Sequence, residues 1–465
     1  MQRDHESVRT EYADRAMQRG DESEERLFGP VQQRPAFTNE RLFEFLKFAR
    51  ERSPWQRSRL EGIDVSTVTS QDMSALPTMN KHDLHDNWDA IVTDPELTHA
   101  VANRHLAGLK DGFSFALGRY VVCATGGSTG FRSVIALDIE GFAAWLAVNL
   151  AHARSSRPPD LDLPDVPVQG RLTALNPVHI SGATSAILQG GIMTMVTVPP
   201  STPIADAVSI LNEAQPDGLM SYGSMLHVMA IEARVGRLNI RPVLAANGGE
   251  PLLPETREIV RDAFGIGVRN VYGSTEAYFG ESWRDSELIH LGDDTTVIEL
   301  VDTDNQPVPP GTASTKMLVT NLSNRLQPLI RYEITDEVTE AIIDASSDDP
   351  ALHPPGPWTG RWIHPPQGRN DDLFTYADTI VHPHVFRSQL AAVPAISEYQ
   401  VTQTDDGAHI AAVATDVVDV PALREAITAE LRRVGLTNPV IDVETVGEIE
   451  RHPETGKLRR FIRLA

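Results

Sequence analysis

Val121-Val122-Cys123-Ala124-Thr125-Gly126-Gly127-Ser128-Thr129-Gly130-Phe131-Arg132 is a β-branched run that opens into glycines and hydroxyl-bearing residues. It reads as a strand entering a loop. Glycine permits backbone turns that aim successive N–H groups inward, and Thr125, Ser128 and Thr129 add hydroxyls able to face anionic oxygens. Three specific readings compete with an ordinary turn. A Walker loop requires a terminal Gly-Lys-Ser/Thr, whereas here Gly130 is followed by Phe131-Arg132, which argues against it. A nucleophile elbow is matched formally by Gly126-x-Ser128-x-Gly130, and it requires an acid and then a histidine further on, for which no pair stands out. The third is a loop clamping the outer phosphates of ATP while a carboxylate is activated; it requires partners downstream.

Outward from that loop, three further strands end in polar, glycine-bearing turns. Residues 221–226 turn from a strand end into a helix. Residues 243–246 form a buried strand leading into Asn247-Gly248-Gly249-Glu250-Pro251, and residues 268–272 lead into Gly273-Ser274-Thr275-Glu276. Open α/β sheets place ligands at such carboxyl ends. Residues 297–338 change texture to strand pairs around Pro309-Pro310-Gly311, as in an antiparallel or barrel-like layer. The proline-rich stretch 353–367 marks a boundary, and Asp419-Val420-Pro421 opens a helix with Leu423, Ile427 and Leu431 on one face. The expected fold is α/β: a large N-terminal domain of α/β sheets with a β-barrel-like layer, followed by a small α+β C-terminal domain. Boundaries are expected at 1–29 for a charged, solvated arm, 30–367 for the large domain and 368–465 for the small one. Upstream, residues 39–52 carry an apolar helical face, and residues 76–84 form a turn feeding a capped helix.

The 465-residue length favours two unequal domains, and 41% hydrophobic with 23% charged residues is an ordinary globular composition. No apolar run is long enough to span a bilayer, and the first residues lack the apolar centre of a secretory signal. A cytoplasmic location is expected. The single cysteine, Cys123, excludes an internal disulfide and a cysteine-rich metal site. A formal net charge of −23 argues against nucleic-acid or anionic-membrane partners. An anionic nucleotide must then be held by local backbone donors, a few placed cations and a divalent metal.

Together, in order and spacing over nearly the whole chain, the motifs resemble the adenylate-forming acyl-CoA synthetase superfamily, in its phenylacetate–CoA ligase-like branch. The residues that carry the resemblance are Thr125 to Gly130, Gly248-Gly249-Glu250-Pro251, Tyr272 to Glu276, Arg331-Tyr332 with Asp336, Gly368 to Asp372, and Gly456-Lys457. The resemblance implies an ATP-dependent carboxylate ligase that forms an acyl-AMP from an aromatic acid and passes the acyl group on. It implies that the loop from Thr125 through Gly126, Gly127, Ser128, Thr129 and Gly130 holds the outer phosphates, that Thr275 contacts phosphate, and that Glu276 helps hold Mg²⁺. Gly248, Gly249, Glu250, Pro251, Tyr272, Gly273 and Ser274 line the nucleotide slot, Asp336 accepts from the ribose, and Arg369 contacts phosphate or ribose. Lys457 reaches the reacting carboxylate from a mobile lid that turns on a hinge at Asp371. Acyl-pocket candidates are Tyr222, Gly223, Asn247, Phe279, His179 and His227. A homodimer is the family-level expectation.

Two departures bear on the second half-reaction. The lysine usual after the phosphate loop is replaced by Phe131-Arg132, and Asp378 stands where the family pattern has the glycine beside the pantetheine tunnel. The acceptor therefore stays open between the CoA thiol and a small-molecule amine or hydroxyl. The alternatives to a working ligase are a degenerate nucleotide- or acyl-binding relative and, third, a serine hydrolase.

Overall fold

The computed structural model describes residues 4–109, 112–125, 133–157, 161, 163–173, 177–190, 193–199, 202–344, 346–347, 358–366, 373–377, 379–381, 383–391, 393, 395–451 and 458–464. Its centre is a nine-stranded mixed sheet. Five neighbouring strands, Thr194–Thr197, Val168–Leu172, Gly218–Ser221, Leu244–Gly248 and Val268–Gly273, run parallel. Tyr278–Ser282, Ile289–Leu291, Trp362–His364 and Thr339–Glu340 continue the sheet antiparallel. Parallel strands need crossovers, and here the helices Ile204–Ala214, Gly223–Arg234 and Pro254–Phe264 supply three of them. Their apolar sides and one sheet face close a core containing Leu172, Leu211, Leu219, Leu226, Met229, Ala245 and Val268. The expected α/β layer is therefore present, with all three glycine-bearing turns at its carboxyl edge.

The strand-rich stretch expected to be barrel-like is an open antiparallel meander of Thr296–Val301, Lys316–Asn321 and Tyr332–Ile334. Among the described residues no closed barrel forms, because the next strand, Thr339–Glu340, joins the large sheet instead. From Phe374 on, a separate apolar cluster forms around Phe374, Phe386, Val401, Ile410, Ile427 and Leu431. Helix Val420–Arg433 covers a four-stranded sheet there, capped by Asp419, whose carboxylate accepts from Ala422 N at 3.0 Å. Its buried Leu423, Ile427 and Leu431 follow the expected face; each contributes about 1.5–3 kcal/mol on burial.

The first residues depart from expectation. The stretch read as a solvated arm folds as the helix His5–Leu27 and packs along helix Ile139–Ser155. Its buried side is made of Val8, Tyr12, Ala16, Gly20, Ser23 and Leu27, recurring at three- or four-residue intervals. Several of its charges are partnered: Arg15 and Arg19 meet Glu140, and Arg26 meets Asp294, which also accepts from the Ser23 hydroxyl.

Candidate active site

The quoted loop leaves the strand Val121–Ala124 and returns as the antiparallel strand Val134–Leu137, paired from Ala124–Val134 to Val121–Leu137. The two strands follow one another as an antiparallel pair, and the next helix among the described residues begins at Ile139. A nucleophile elbow requires the chain to pass from strand directly into helix at the serine, so this context removes the hydrolase reading. The base of the loop is braced twice. Thr125 N donates to Ser133 O at 3.0 Å, and Ser133 N donates to Thr125 Oγ1 at 3.0 Å. Gly126, Gly127, Ser128, Thr129 and Gly130 lie outside the described residues, as do Arg369, Asp371, Asp378 and Lys457.

The turn after Val268–Gly273 is held by its own residues. Ser274 N donates to Ala277 O at 2.8 Å and Trp145 Nε1 donates to Ser274 O at 2.9 Å, which presents Thr275 and Glu276 at the strand end. Glu276 is 6% exposed, and its backbone carbonyl accepts from Asn321 Nδ2 at 3.0 Å. Its carboxylate faces the buried Tyr332 phenol, whose pKa is driven up by burial first and then by that negative charge. Tyr332 also faces Ser133, so one phenol spans the metal-ligand candidate and the base of the loop. Sequence reasoning quoted Tyr332 without giving it this place.

Tyr272 and Asp336 meet. The Tyr272 hydroxyl donates to Asp336 Oδ2 at 2.8 Å across the gap between the large sheet and the meander. Asp336 is only 8% exposed, and the bond fixes one of its carboxylate oxygens. Phe279 is corrected from acyl pocket to core: it is fully buried, 4.9 Å from the Tyr272 ring centroid, among Ile289, Leu291, Ile298 and Val319. An aromatic with no exposed surface backs Tyr272 and cannot touch a substrate.

The turn 247–251 is built by Asn247, also moved out of the acyl pocket. Its fully buried amide donates to Glu250 O and Asn270 Oδ1, both at 2.8 Å, and thereby shapes the turn. Gly249 sits at φ +80°, where a side chain is strained. Gly223 is small because a Cβ there would lie 3.0 Å from Pro251 O and 3.1 Å from Asn247 Oδ1, so helix Gly223–Arg234 can butt against the turn. Tyr222 precedes that helix and is buried. His179, ahead of helix Ile180–Leu188, places Nδ1 3.2 Å from Ala124 O, beside the loop. His227 faces Thr256 at 3.4 Å; burial, then the Arg460 charge, lower its pKa to about 4, so it is neutral near pH 7.

Glu250 has a role the sequence did not disclose. Its carboxylate accepts from Ser224 N at 3.0 Å and from Leu458 N at 2.9 Å, joining the 247–251 turn, a helix start and the C-terminal segment. Leu458 directly follows Lys457 in the chain. Beside it, Arg451 donates to Ser224 Oγ at 3.0 Å and pairs with Glu398 at 2.5 Å. Burial first raises the Glu398 pKa, and Arg451 opposes that shift. Glu250 and Ser224 thus receive the C-terminal segment at the sheet edge through Leu458 and Arg451, and Glu398 holds Arg451 from within the C-terminal sheet.

No family model matches the chain. It is 25% identical over 477 residues to the phenylacetate–coenzyme A ligase of Thermus thermophilus, covering 94% of this chain and 97% of that one. Its fold matches 2-hydroxyisobutyryl-CoA ligase in the postadenylation state in complex with 2-HIB-AMP, with a TM-score of 0.69, 18% identity, and coverage of 94% of this chain and 91% of that one. Against the same ligase in its thioesterification state the TM-score is 0.51 at equal identity and coverage. Along nearly its whole length the chain is thus similar in sequence to a phenylacetate–coenzyme A ligase, and it shares the fold of 2-hydroxyisobutyryl-CoA ligase.

Proposed function

We propose that this chain uses ATP to activate an aromatic carboxylic acid as its acyl-AMP and then transfers the acyl group to a nucleophile, either the CoA thiol or a small-molecule amine or hydroxyl. In the first step a carboxylate oxygen attacks the α-phosphorus, the bond to the β-bridging oxygen breaks and pyrophosphate leaves. In the second, the nucleophile attacks the acyl carbon, loses its proton and displaces AMP. The observation that supports this reading is the Glu250 carboxylate receiving the N–H of Leu458, the residue after Lys457, at the 247–251 turn.

Each group has work in that scheme. Both reactants of the first step are anions, so the site must offset charge that grows at the α-phosphate. Lys457 supplies a mobile positive charge, and the loop from Thr125 to Gly130 supplies backbone donors. The Tyr272–Asp336 pair orients the ribose, with Asp336 as acceptor. Among the described residues no three acidic or histidine groups form a metal cage, whereas Glu276 alone, buried and held by Tyr332, suits Mg²⁺, which binds through one or two carboxylates and the substrate's phosphates. When bound, Mg²⁺ neutralises phosphate charge. Residues 30–367 act as the ATP- and acid-binding domain and 368–465 as the lid, hinged at Asp371, with Arg369 on phosphate or ribose. A cytoplasmic setting supplies ATP and CoA together.

Mass spectrometry of a reaction holding ATP, Mg²⁺ and one aromatic acid without acceptor tests this reading. An accumulating acyl-AMP mass is expected, discharged on adding CoA or an amine. ADP and an acyl phosphate in its place contradict it.

A further inference from the structure

Three arginines are buried among the described residues, and two of them have carboxylates: Arg257 meets Asp285 at 3.1 Å and Arg331 meets Glu299 at 3.0 Å. Arg171 has none. It is 9% exposed, and its one hydrogen bond among the described residues is a long 3.4 Å contact from Nε to Thr173 Oγ1. A buried guanidinium without an anion is costly, so its retention requires a counter-charge from elsewhere.

The sheet shows where that charge enters. Arg171, Met220, Ala246 and Arg269 stand in one row across four parallel strands, on the face away from the helix-covered core. Arg269, at the far end of the row, pairs with the buried Glu281. Met220, on a central strand between neighbours on both sides, is nevertheless only partly buried, so that face is incompletely covered there. Arg171 is one residue from the carboxyl end of its strand, and Tyr222 directly follows the end of the neighbouring strand Gly218–Ser221. Arg171 lies two strands, about 10 Å, from the strand that ends in the 247–251 turn. It therefore addresses the part of an acid substrate remote from the nucleotide.

We infer that Arg171 reads a second anionic group, foremost a carboxylate, at the end of the acid opposite the one that is adenylated. The inference rests on the proposed ligase activity and narrows its substrate to aromatic acids bearing a distal negative charge. The bound diacid completes the ion pair that Arg171 lacks, while a singly charged acid leaves the guanidinium buried and alone.

The test compares matched acids, benzoate with benzene-1,4-dicarboxylate and phenylacetate with 4-carboxyphenylacetate. ATP–pyrophosphate exchange is measured with the wild-type protein, Arg171→Met and Arg171→Lys. The wild type should favour each diacid by at least about 10-fold in kcat/KM, Arg171→Met should bring that ratio to about one, and Arg171→Lys should restore part of it. Equal preference in wild type and Arg171→Met overturns the inference, as does a wild type that favours the singly charged acids or an Arg171→Met variant that loses both acids alike. Calorimetric titration of the same acids provides a readout independent of turnover. If no acid supports exchange, the ligase reading fails, yet diacid binding present in wild type and absent in Arg171→Met still upholds the anion site. Absence of any diacid preference in binding overturns it.

Discussion

Replacing Glu250 with glutamine removes a charge and one of two acceptor oxygens that hold Ser224 N at 3.0 Å and Leu458 N at 2.9 Å. The amide keeps one acceptor and turns an NH₂ toward the other N–H, so one bond is lost outright. A hydrogen bond to a charged group contributes about 1.5–3 kcal/mol, and each 1.4 kcal/mol is tenfold in an equilibrium. Undocking of the C-terminal segment should therefore become about 10–150 times more frequent in Glu250→Gln. Amide hydrogen exchange reads this directly: the Leu458 N–H should exchange faster by that factor, while amides in the separate core around Phe386 and Ile427 keep their rates. Acyl-AMP formation should slow in parallel, since the segment bearing Lys457 spends less time at the nucleotide turn. Unchanged Leu458 exchange refutes the fastening role, and faster exchange with unchanged adenylation refutes its link to chemistry.

Further outcomes follow from other contacts. Tyr272→Phe deletes the 2.8 Å bond to Asp336 and frees a carboxylate meant to be aimed, so KM for ATP should rise about 10-fold with kcat changed less than about threefold; an unchanged KM contradicts the pairing. Stability should fall with acid through His152, which is fully buried, donates from Nδ1 to Val148 O at 2.7 Å and has Nε2 3.0 Å from His290 Nδ1. Burial lowers its pKa to about 4 from 6.5, so the unfolded chain takes up a proton that the fold refuses, and stability present above pH 6.5 is lost as the pH falls toward 4. From pH 7 to 5 this costs about 2 kcal/mol, read as the urea midpoint; an equally steep loss in His152→Asn contradicts it.

Much of this was legible in the chain because local chemistry and fold agree. The Asn247-Gly248-Gly249-Glu250 and Gly273-Ser274-Thr275-Glu276 turns stand at parallel strand ends as read, and the Asp419 cap and the Leu423, Ile427, Leu431 face formed as spaced. The first helix was missed because its dense charge masks a narrow buried stripe that recurs every three or four residues from Val8 to Leu27. Its partners, Glu140 and Asp294, lie more than a hundred residues away, where no local pattern can announce them. The same holds for Glu250 and Leu458, separated by 208 residues, and for Arg171, whose lack of a carboxylate is visible only once its neighbours are in place. Phe279 and Asn247 were misplaced for a related reason: side chains near a site in sequence can be spent on building it, one as backing for Tyr272 and the other as the amide that shapes a turn.

The central claim is adenylation, and ATP–pyrophosphate exchange across substituted benzoic, phenylacetic and cinnamic acids, without CoA, measures it most directly. Exchange supported by one class of aromatic acid and lost in Lys457→Ala is the predicted result. Exchange that persists undiminished in Lys457→Ala, or no exchange with any acid by a protein that binds ATP, contradicts it.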